Sequence, residues 1–191
     1  FDAVCDVQSF DSAVTRSIHE DPRHIEIDAS WYANPFNAGC IVHNLDCVIL
    51  AALEVDCGFN VNVLTGHDGV LRGASGGHQD TAAGAKLSIV VAPSFRGGVP
   101  SIKERVTTVT TPGETVDAIV TERGICINPR REDLIGSALK AGLPAVDLDP
   151  LKKEVKKLPG LPRPAEFDRD KIAAVVEYRD GTLIDTVYAR K

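Results

Sequence analysis

The chain has 191 residues, with 21 lysines and arginines against 27 aspartates and glutamates, so its formal net charge is −6 at pH 7. This acidic balance argues against nucleic acid as a main partner, because it leaves little positive charge to neutralise phosphates. The sequence has no run of about 18 apolar residues, so no membrane-spanning helix is predicted. Five cysteines without a C-x-x-C pair favour reduced thiols in the cytoplasm over disulfides or structural zinc.

The first forty residues are predicted to form short strands and one helix. Residues 1–7 have the pattern of a strand, and because the chain contains no methionine we expect it to be part of a longer protein. Ser9 is a candidate N-cap for a helix that ends before Asp21-Pro22, since the residue before proline avoids helical geometry. A short strand is predicted over 24–28, and 31–39 has the composition of a loop.

A hairpin and a glycine-rich loop are predicted next. Residues 47–55 form an apolar run that is typical of a central strand buried on both faces, and 59–64 alternate apolar and polar side chains, so the two segments predict a hairpin. Residues 65–77 hold five of the sixteen glycines and are predicted to be a loop. A short helix is expected over 79–85.

The second half of the chain predicts further strands, two helices and a closing hairpin. An amphipathic helix is expected over 131–141 with Gly142 as its C′ residue, and Asp149-Pro150 as the start of another. A hairpin over 171–188 would turn at Asp180-Gly181 in a type I′ turn. The remaining predicted strands cover 87–92, 105–111, 116–122 and 125–127. Together these elements predict an α/β fold with an open mixed sheet flanked by helices.

The segment 73–77, Gly-Ala-Ser-Gly-Gly, allows three interpretations. As G-x-S-x-G it would make Ser75 the nucleophile of a hydrolase, but the preceding residues make a poor strand and no histidine follows His78. As a loop that leads into a helix, its glycines would let backbone N–H groups approach an anion or a developing oxyanion. The third interpretation is a plain tight turn.

Other polar residues give weaker signals. Histidines and acidic residues at 24–26, 67–68 and 78–80 could converge on a metal, but scattered histidines are more often surface or hydrogen-bonded residues, so we expect no metal site. Glu54 and Asp56 could supply a nucleophilic carboxylate, or they could mark a strand end that enters solvent. Lysines in 152–157 indicate a solvated helix face on which an acidic carrier protein could dock.

Several longer segments resemble a known family. Residues 75–86 (SGGHQDTAAGAK) and 52–63 (ALEVDCGFNVNV) are similar to the alpha subunits of citrate lyase, and so are 105–113, 116–129 and 178–185. A looser resemblance extends to acetyl-CoA hydrolases and to acetate or 4-hydroxybutyrate CoA-transferases. These share the E-V-D hairpin, the G-G-x-x-D loop and the V-T-E-x-G segment.

The resemblance implies a CoA-transferase-like domain and its activity. Residues 1–158 would be most of the second domain of such a subunit, and 159–191 a C-terminal extension whose hairpin packs on the same domain. The implied activity exchanges acetate for citrate on a thioester, giving a citryl thioester and acetate. The thiol would belong to a phosphopantetheine-type group on a small acyl-carrier (gamma) subunit, and a beta subunit would cleave the citryl thioester to oxaloacetate. This implies no tightly bound cofactor, an oligomeric complex and a cytoplasmic location.

The same resemblance implies roles for individual residues. Asn34 would hold the reacting carboxylate, and the backbone N–H of Gly77 would face the thioester oxyanion. Ser75, Gly76, His78 and Asp80 would line the same pocket. The nucleophilic glutamate of related CoA-transferases would precede residue 1.

Two alternatives to carrier-dependent citrate transfer remain open. A CoA-transferase or acyl-CoA hydrolase could act on free CoA thioesters. Alternatively, the isolated chain could be a non-catalytic docking domain.

Overall fold

The computed structural model describes residues 3–6, 11–157 and 165–191. The predicted N-cap Ser9 and the connector over 158–164 lie outside these residues. Of the helices in the described ranges, none combines the length and apolar character needed to cross a membrane.

The N-terminal part contains two short parallel strands and two helices. These are β1 (Val4–Asp6), α1 (Ser12–Glu20), β2 (His24–Glu26) and α2 (Ala29–Ala33). Helix α1 is capped by Asp11, whose carboxylate accepts hydrogen bonds from the N–H groups of Ala13 and Val14 at 2.8 and 2.9 Å. It ends at Asp21, as the following proline predicts.

The segment predicted as a loop over 31–39 begins inside helix α2, so that prediction is wrong for its first residues. The carboxylate of Asp28 caps this helix by accepting a hydrogen bond from the N–H of Trp31 at 2.8 Å. The helix is short because Pro35 follows its C-cap Asn34 directly. A 3-10 turn over Ile41–Asn44 then leads to the main sheet.

The apolar run over 47–55 is divided between two strands and is not one buried central strand. Strand β3 (Cys47–Ala51) alternates exposed and half-buried side chains, whereas β4 (Glu54–Asp56) is buried throughout. The predicted hairpin is confirmed in a shorter form, because β4 pairs antiparallel with β5 (Val61–Asn62).

The remaining elements follow from the glycine-rich loop to the C-terminus. They are α3 (His78–Gly84), β6 (Leu87–Val91), β7 (Phe95–Arg96), β8 (Val99–Pro100), β9 (Ile102–Lys103), β10 (Ala118–Thr121), β11 (Gly124–Ile127), α4 (Glu132–Lys140), α5 (Leu148–Lys156), β12 (Phe167–Glu177) and β13 (Leu183–Arg190), with a 3-10 turn over Gly113–Thr115. The predictions of α3, β6, β10, β11, α4 and the closing hairpin are confirmed.

The main sheet is open and mixed, in the order β11-β10-β6-β3, with β3, β6 and β10 parallel and β11 antiparallel. A smaller sheet has the order β5-β4-β9. The apolar core joins both sheets to α5 and includes Val55, Val90, Ile119, Leu151 and Val155. This arrangement confirms the α/β fold class.

The strand predicted over 105–111 is reduced to a single bridge between Thr111 and Val61, because carboxylates take several of the segment's hydrogen bonds. The N–H of Val106 donates to Asp56 at 3.2 Å, that of Thr107 to Glu54 at 2.7 Å, and that of Val109 to Asp185 at 2.6 Å. A backbone whose donors are satisfied by side chains has no need of a neighbouring strand.

The start of α5 and the environment of one of its lysines also differ from prediction. Its N-cap is Asp147 and not Asp149, which lies within the first turn. Lys152 is buried and contacts Glu104 at 2.8 Å and Asp149 at 2.9 Å, whereas Lys153 is exposed. The solvated face therefore excludes Lys152.

The closing hairpin turns through three residues and not through a two-residue type I′ turn. The N–H of Gly181 donates to the carbonyl of Tyr178 at 2.9 Å, and the N–H of Tyr178 donates to the carbonyl of Thr182 at 2.7 Å. Gly181 has a φ of 86°, and this pattern matches a type I turn followed by a glycine bulge. The division of the chain at residue 158 stays a prediction.

Candidate active site

Asn34 lies at the C-cap of α2, half-buried, in a loop held by its own side chains. Its Nδ2 donates to Oγ of Ser30 at 3.2 Å, and its Oδ1 accepts from the N–H of Phe36 at 3.0 Å. Asn37 contacts the same serine, donating from Nδ2 to its carbonyl at 3.2 Å. The two asparagines thus fix the turn around Pro35.

Gly77 lies directly against α2. A Cβ placed on Gly77 would lie 2.6 Å from Cε1 of Tyr32 and 3.4 Å from Cβ of Ala33, so no larger residue fits without moving the tyrosine ring. Because Ala33 precedes Asn34, this close approach brings the asparagine turn beside the glycine-rich loop. The structure therefore places these two predicted residues in neighbouring segments, although they are 43 positions apart in the sequence.

The loop before α3 presents backbone donors. Gly76 has a φ of 50° and open space where a Cβ would be, and Ser75 uses its carbonyl to accept from the N–H of His78 at 2.9 Å. Within the described ranges, the N–H groups of Gly76 and Gly77 have no acceptor. Ser75 is half-buried in an irregular segment, which lacks the strand that a nucleophile elbow requires.

His78 is buried and both of its ring nitrogens are engaged. Nε2 lies 3.2 Å from the carbonyl of Ala51, which can only accept, so Nε2 carries the proton and Nδ1 accepts from the Thr111 hydroxyl at 2.7 Å. Burial lowers the pKa of His78, although the hydrogen bond to Ala51 opposes this shift. A neutral imidazole therefore ties α3 to the end of β3. Its predicted place in a substrate pocket stays a prediction.

Asp80 forms a largely buried ion pair with the closing hairpin. Its Oδ1 lies 3.5 Å from Nε of Arg179, and the two side chains are 17% and 15% exposed. Burial raises the pKa of Asp80, while the Arg179 charge opposes that shift. Beside it, Nε2 of Gln79 donates to the carbonyl of Glu177 at 3.1 Å. The hairpin tip is therefore docked on the first turn of α3.

Glu54 and Asp56 are buried hydrogen-bond acceptors, so the prediction of a strand end entering solvent is wrong. Glu54 accepts from the backbone and hydroxyl of Thr107 and from Nδ2 of Asn62 at 2.9 Å, and it lies 3.5 Å from Nζ of Lys103. The carboxylate of Asp56 closes the turn to β5 by accepting from the N–H of Gly58 and Asn60. Such buried, hydrogen-bonded carboxylates order the 105–111 segment. A nucleophilic role for either carboxylate stays a prediction.

Metal-binding groups do not converge in this region. Among the residues that the structure describes, no three His, Cys, Asp or Glu side chains are grouped as a metal site would require.

Two residues near the loop escaped the sequence analysis. Tyr32 gave no signal beyond its place in a predicted loop, yet its ring is the surface against which Gly77 packs. Arg179 lies in the 178–185 segment of the family resemblance, but its contact with Asp80 spans 99 positions. Neither proximity is encoded in a local pattern.

Comparison with known proteins matches this chain to one family. The family model "Citrate lyase, alpha subunit (CitF)" matches residues 1–190. The citrate lyase alpha chain of Haemophilus influenzae is 52% identical over 186 residues, which are 97% of this chain and 37% of that protein. That of Klebsiella pneumoniae is 50% identical over 182 residues, 95% of this chain and 36% of the relative.

A solved structure agrees with the sequence relatives. A Streptococcus mutans crystal structure, named as a citrate lyase alpha subunit in complex with citrate, has a TM-score of 0.93 and 48% identity. The match covers 100% of this chain and 37% of that one, so the chain spans just over a third of the length of its relatives. The chain belongs to the citrate lyase alpha subunit family.

Proposed function

We propose that this chain forms part of a transferase subunit that exchanges acetate for citrate on a carrier thioester. The C–S bond of an acetyl thioester breaks, and the sulfur forms a new C–S bond to a carboxyl carbon of citrate. That carboxyl group gives up one oxygen to the acetyl carbon, so the products are a citryl thioester and free acetate. The observation that carries the proposal is the contact of Gly77 with α2, which brings Asn34 beside the glycine loop. The citrate named for the Streptococcus mutans structure supports the choice of substrate.

The proposed chemistry needs donors where negative charge develops. When a carboxylate attacks a thioester carbonyl, the carbonyl oxygen becomes an oxyanion, and preorganised N–H groups stabilise it more than they stabilise the ground state. The N–H groups of Gly76 and Gly77 have no acceptor in the described part of the chain and can serve this purpose. The amide of Asn34 would orient the reacting carboxylate, and Ser75, His78 and Asp80 would shape the surrounding loop.

The proposal includes partners that the chain itself does not contain. The thioester would be carried by a phosphopantetheine-type arm on an acyl-carrier (gamma) subunit, and a lyase (beta) subunit would use the citryl product. The arm is a substrate, so no tightly bound cofactor is proposed. We also propose a cytoplasmic location, in keeping with five cysteines that form no disulfide in the structure.

The test compares two asparagines in an acyl-exchange assay on the intact subunit that contains this chain. Asn34→Ala should lower the exchange of citrate into an acetyl-carrier thioester by about 100-fold, the usual effect of removing one catalytic hydrogen-bond donor. Asn37→Ala is the matched control, because Asn37 lies in the same turn and donates to the same serine. Its rate should stay within a few-fold of the wild-type rate.

Three outcomes would contradict this assignment. Equal losses in both variants would mean that Asn34 only supports the turn. Turnover of acetyl-CoA without exchange on a carrier thioester would move the protein to the CoA-transferases or hydrolases that use free CoA. No turnover of either thioester by the wild-type subunit would favour a docking role.

A further inference from the structure

A groove is bounded by helix α4, strand β11 and helix α5. Most of its surface is apolar and comes from Ile127, Pro129, Ile135, Leu139, Val146 and Leu151. Its volume is about 950 Å³, and each of the two helices has nine residues, or about 13 Å of length. These dimensions fit one helical segment of a partner, the arrangement known as helix-in-groove recognition. We call this surface the α4–α5 groove.

The apolar side chains of the α4–α5 groove are more exposed than those of the core. Leu139 is 67% exposed and Val146 is 37% exposed, whereas Val155 on the inner side of α5 is fully buried. Ile135 and Leu139 lie four positions apart on α4, so their side chains share one face of that helix. Exposed apolar side chains that are grouped in this way mark a surface to which another protein binds.

The charge that is free at the groove is positive. Lys157 belongs to its lining and Lys140 directly follows Leu139; both lysines are exposed, and neither has an acidic partner within the described ranges. In the same ranges Asp147, the N-cap of α5, is the acid of the lining that has no cation close to it. Two free lysines against one aspartate leave a positive balance, in a chain whose net charge is −6.

The other charged side chains of the lining are paired. Nη1 of Arg123 lies 3.7 Å from Oε2 of Glu154, and Nζ of Lys153 lies 2.6 Å from Oδ2 of Asp149. These pairs add no net charge to the groove. A partner that matches the groove therefore has an apolar face flanked by acidic side chains, because complementary charge steers association and selects the partner.

The groove reaches the edge of the main sheet at which the candidate active site lies. Strands β3, β6 and β10 are parallel, so their carboxyl ends meet at one edge, where open α/β sheets bind their ligands. The ring of His78 contacts the carbonyl of Ala51, the last residue of β3, and Nε of Arg123, just after β10, donates to Oγ of Ser94 at 3.0 Å. The ends of β3 and β10 are two strands apart, or about 10 Å.

We infer that the α4–α5 groove docks the acyl-carrier subunit through an amphipathic helix whose apolar face is flanked by acidic side chains. The apolar face packs on Leu139 and Val146, and the acidic flanks meet Lys140 and Lys157. Docking there holds the carrier at the sheet edge, from which its thioester arm extends to the glycine loop. The identity of the partner rests on the proposed function, whereas the chemistry of the docked helix follows from the groove.

The first test measures binding of the intact subunit to the acyl-carrier subunit without its thioester arm, by fluorescence anisotropy. Leu139→Glu and Lys157→Glu should each raise the Kd about tenfold, as expected for the loss of one central interface contact. Added salt should weaken binding by the wild type more than binding by Lys157→Glu. Ile172→Glu and Lys171→Glu are matched controls on β12, because these side chains are 63% and 75% exposed outside the groove, and both should bind as the wild type does.

The second test separates docking from chemistry. With an acetyl-carrier thioester as donor, the two groove variants should show a raised KM and an unchanged kcat for exchange with citrate. With the acetyl thioester of free pantetheine, which brings no protein to dock, their rates should equal the wild-type rate. A groove that only supports the fold would lower the rates with both donors.

Several results would overturn the inference. They are carrier binding that neither groove substitution weakens, equal weakening by the β12 controls, equal rate losses with the carrier and the free thioester, and occupation of the groove by a second copy of the subunit in place of the carrier. Acyl exchange by the wild type, with carrier binding unchanged in the groove variants, would retain the proposed function and remove the groove. Carrier binding that depends on Leu139 and Lys157, in a subunit without acyl exchange, would retain the groove and remove the proposed function.

Discussion

At the scale of single residues, buried polar side chains hold the irregular segments of this domain in place. Glu54 and Asp56 together accept hydrogen bonds from the backbone of two separate loops, at 58–60 and 106–107. Removing one partner of such a network leaves a buried group unsatisfied, which costs more than the bond itself contributes. Glu54 and Asp56, which the sequence suggests as candidates for chemistry, thus have a structural role.

His78 gives the domain a predictable response to pH. Its folded-state pKa lies below its ordinary value of about 6.5 because the ring is buried. As the pH falls below about 6.5, the unfolded chain binds a proton before the folded one does, so the free energy of unfolding decreases. For one titrating group, proton linkage limits the change in the free energy of unfolding to about 1.4 kcal/mol for each pH unit.

Urea unfolding between pH 7.5 and 5.5 measures this effect. His78→Gln should be less stable than the wild type at pH 7.5, with a difference that narrows towards pH 5.5. His43→Gln, with an exposed ring in the 3-10 turn, should keep the pH dependence of the wild type. A constant difference between wild type and His78→Gln across the range would show that His78 is not the titrating group.

At the scale of elements, the closing hairpin is attached to the body by contacts far apart in sequence. Phe167 meets Gly69 at its base, Asp185 accepts from the N–H of Val109, and Arg179 pairs with Asp80 at its tip. The tip contact lies one turn of α3 after Gly77. Docking of the hairpin therefore helps to fix the helix that follows the candidate catalytic loop.

The Arg179–Asp80 pair should show measurable coupling in a double-mutant cycle. Arg179→Gln leaves a largely buried carboxylate without its cation, so the pKa of Asp80, already raised by burial, should rise further. The protein should lose about 1–3 kcal/mol of stability, the cost of leaving a buried polar group unsatisfied. In the Arg179→Gln background, Asp80→Asn should lower the free energy of unfolding by less than it does in the wild type. The reason is that Asp80 has already lost its cation in that background.

Urea unfolding of the four variants gives the coupling energy, and amide hydrogen exchange in β12 and β13 reports hairpin release. The exposed pair Arg23–Asp21 is a control and should couple more weakly, although its atoms are closer at 2.7 Å. Strictly additive effects of Arg179→Gln and Asp80→Asn would mean that the pair does not dock the hairpin.

At the scale of the whole molecule, local patterns predicted the regular elements and failed where distant groups decide the backbone. Strands β6, β10 and β11 and helix α4 follow from apolar periodicity that needs no tertiary information. The segment 105–111 has the same strand-like composition, but its N–H groups donate to Glu54, Asp56 and Asp185. No local pattern reports a carboxylate 50 or more residues away.

The features of the candidate site also divide into those that the sequence predicts and those that only the tertiary fold determines. The glycine loop could be selected from its composition, and Asn34 only through the family resemblance. The Tyr32–Gly77 packing and the Arg179–Asp80 pair depend on how α2, α3 and the hairpin meet, which is a property of the tertiary fold. Burial of the Glu54 and Asp56 side chains could also not be predicted, because Glu and Asp are rarely buried unless paired.

The outer strand of the main sheet leads to a prediction about association. Among the strands that the structure describes, β3 has one partner, β6. On β3 the Ile49 side chain is 69% exposed, and on β6 that of Val91 is 41% exposed. An unpaired strand edge with an apolar face is a template for pairing with another chain.

We expect the 191-residue chain to self-associate with rising concentration, and Ile49→Lys to reduce this self-association, since a charge on an edge strand opposes pairing. Sedimentation velocity over a range of concentrations measures the effect, with Val70→Lys as the control because Val70 is an exposed apolar residue in a loop. Equal self-association of Ile49→Lys and Val70→Lys would mean that the contact lies elsewhere. A wild-type chain that stays monomeric would mean that the β3 edge does not pair with another chain.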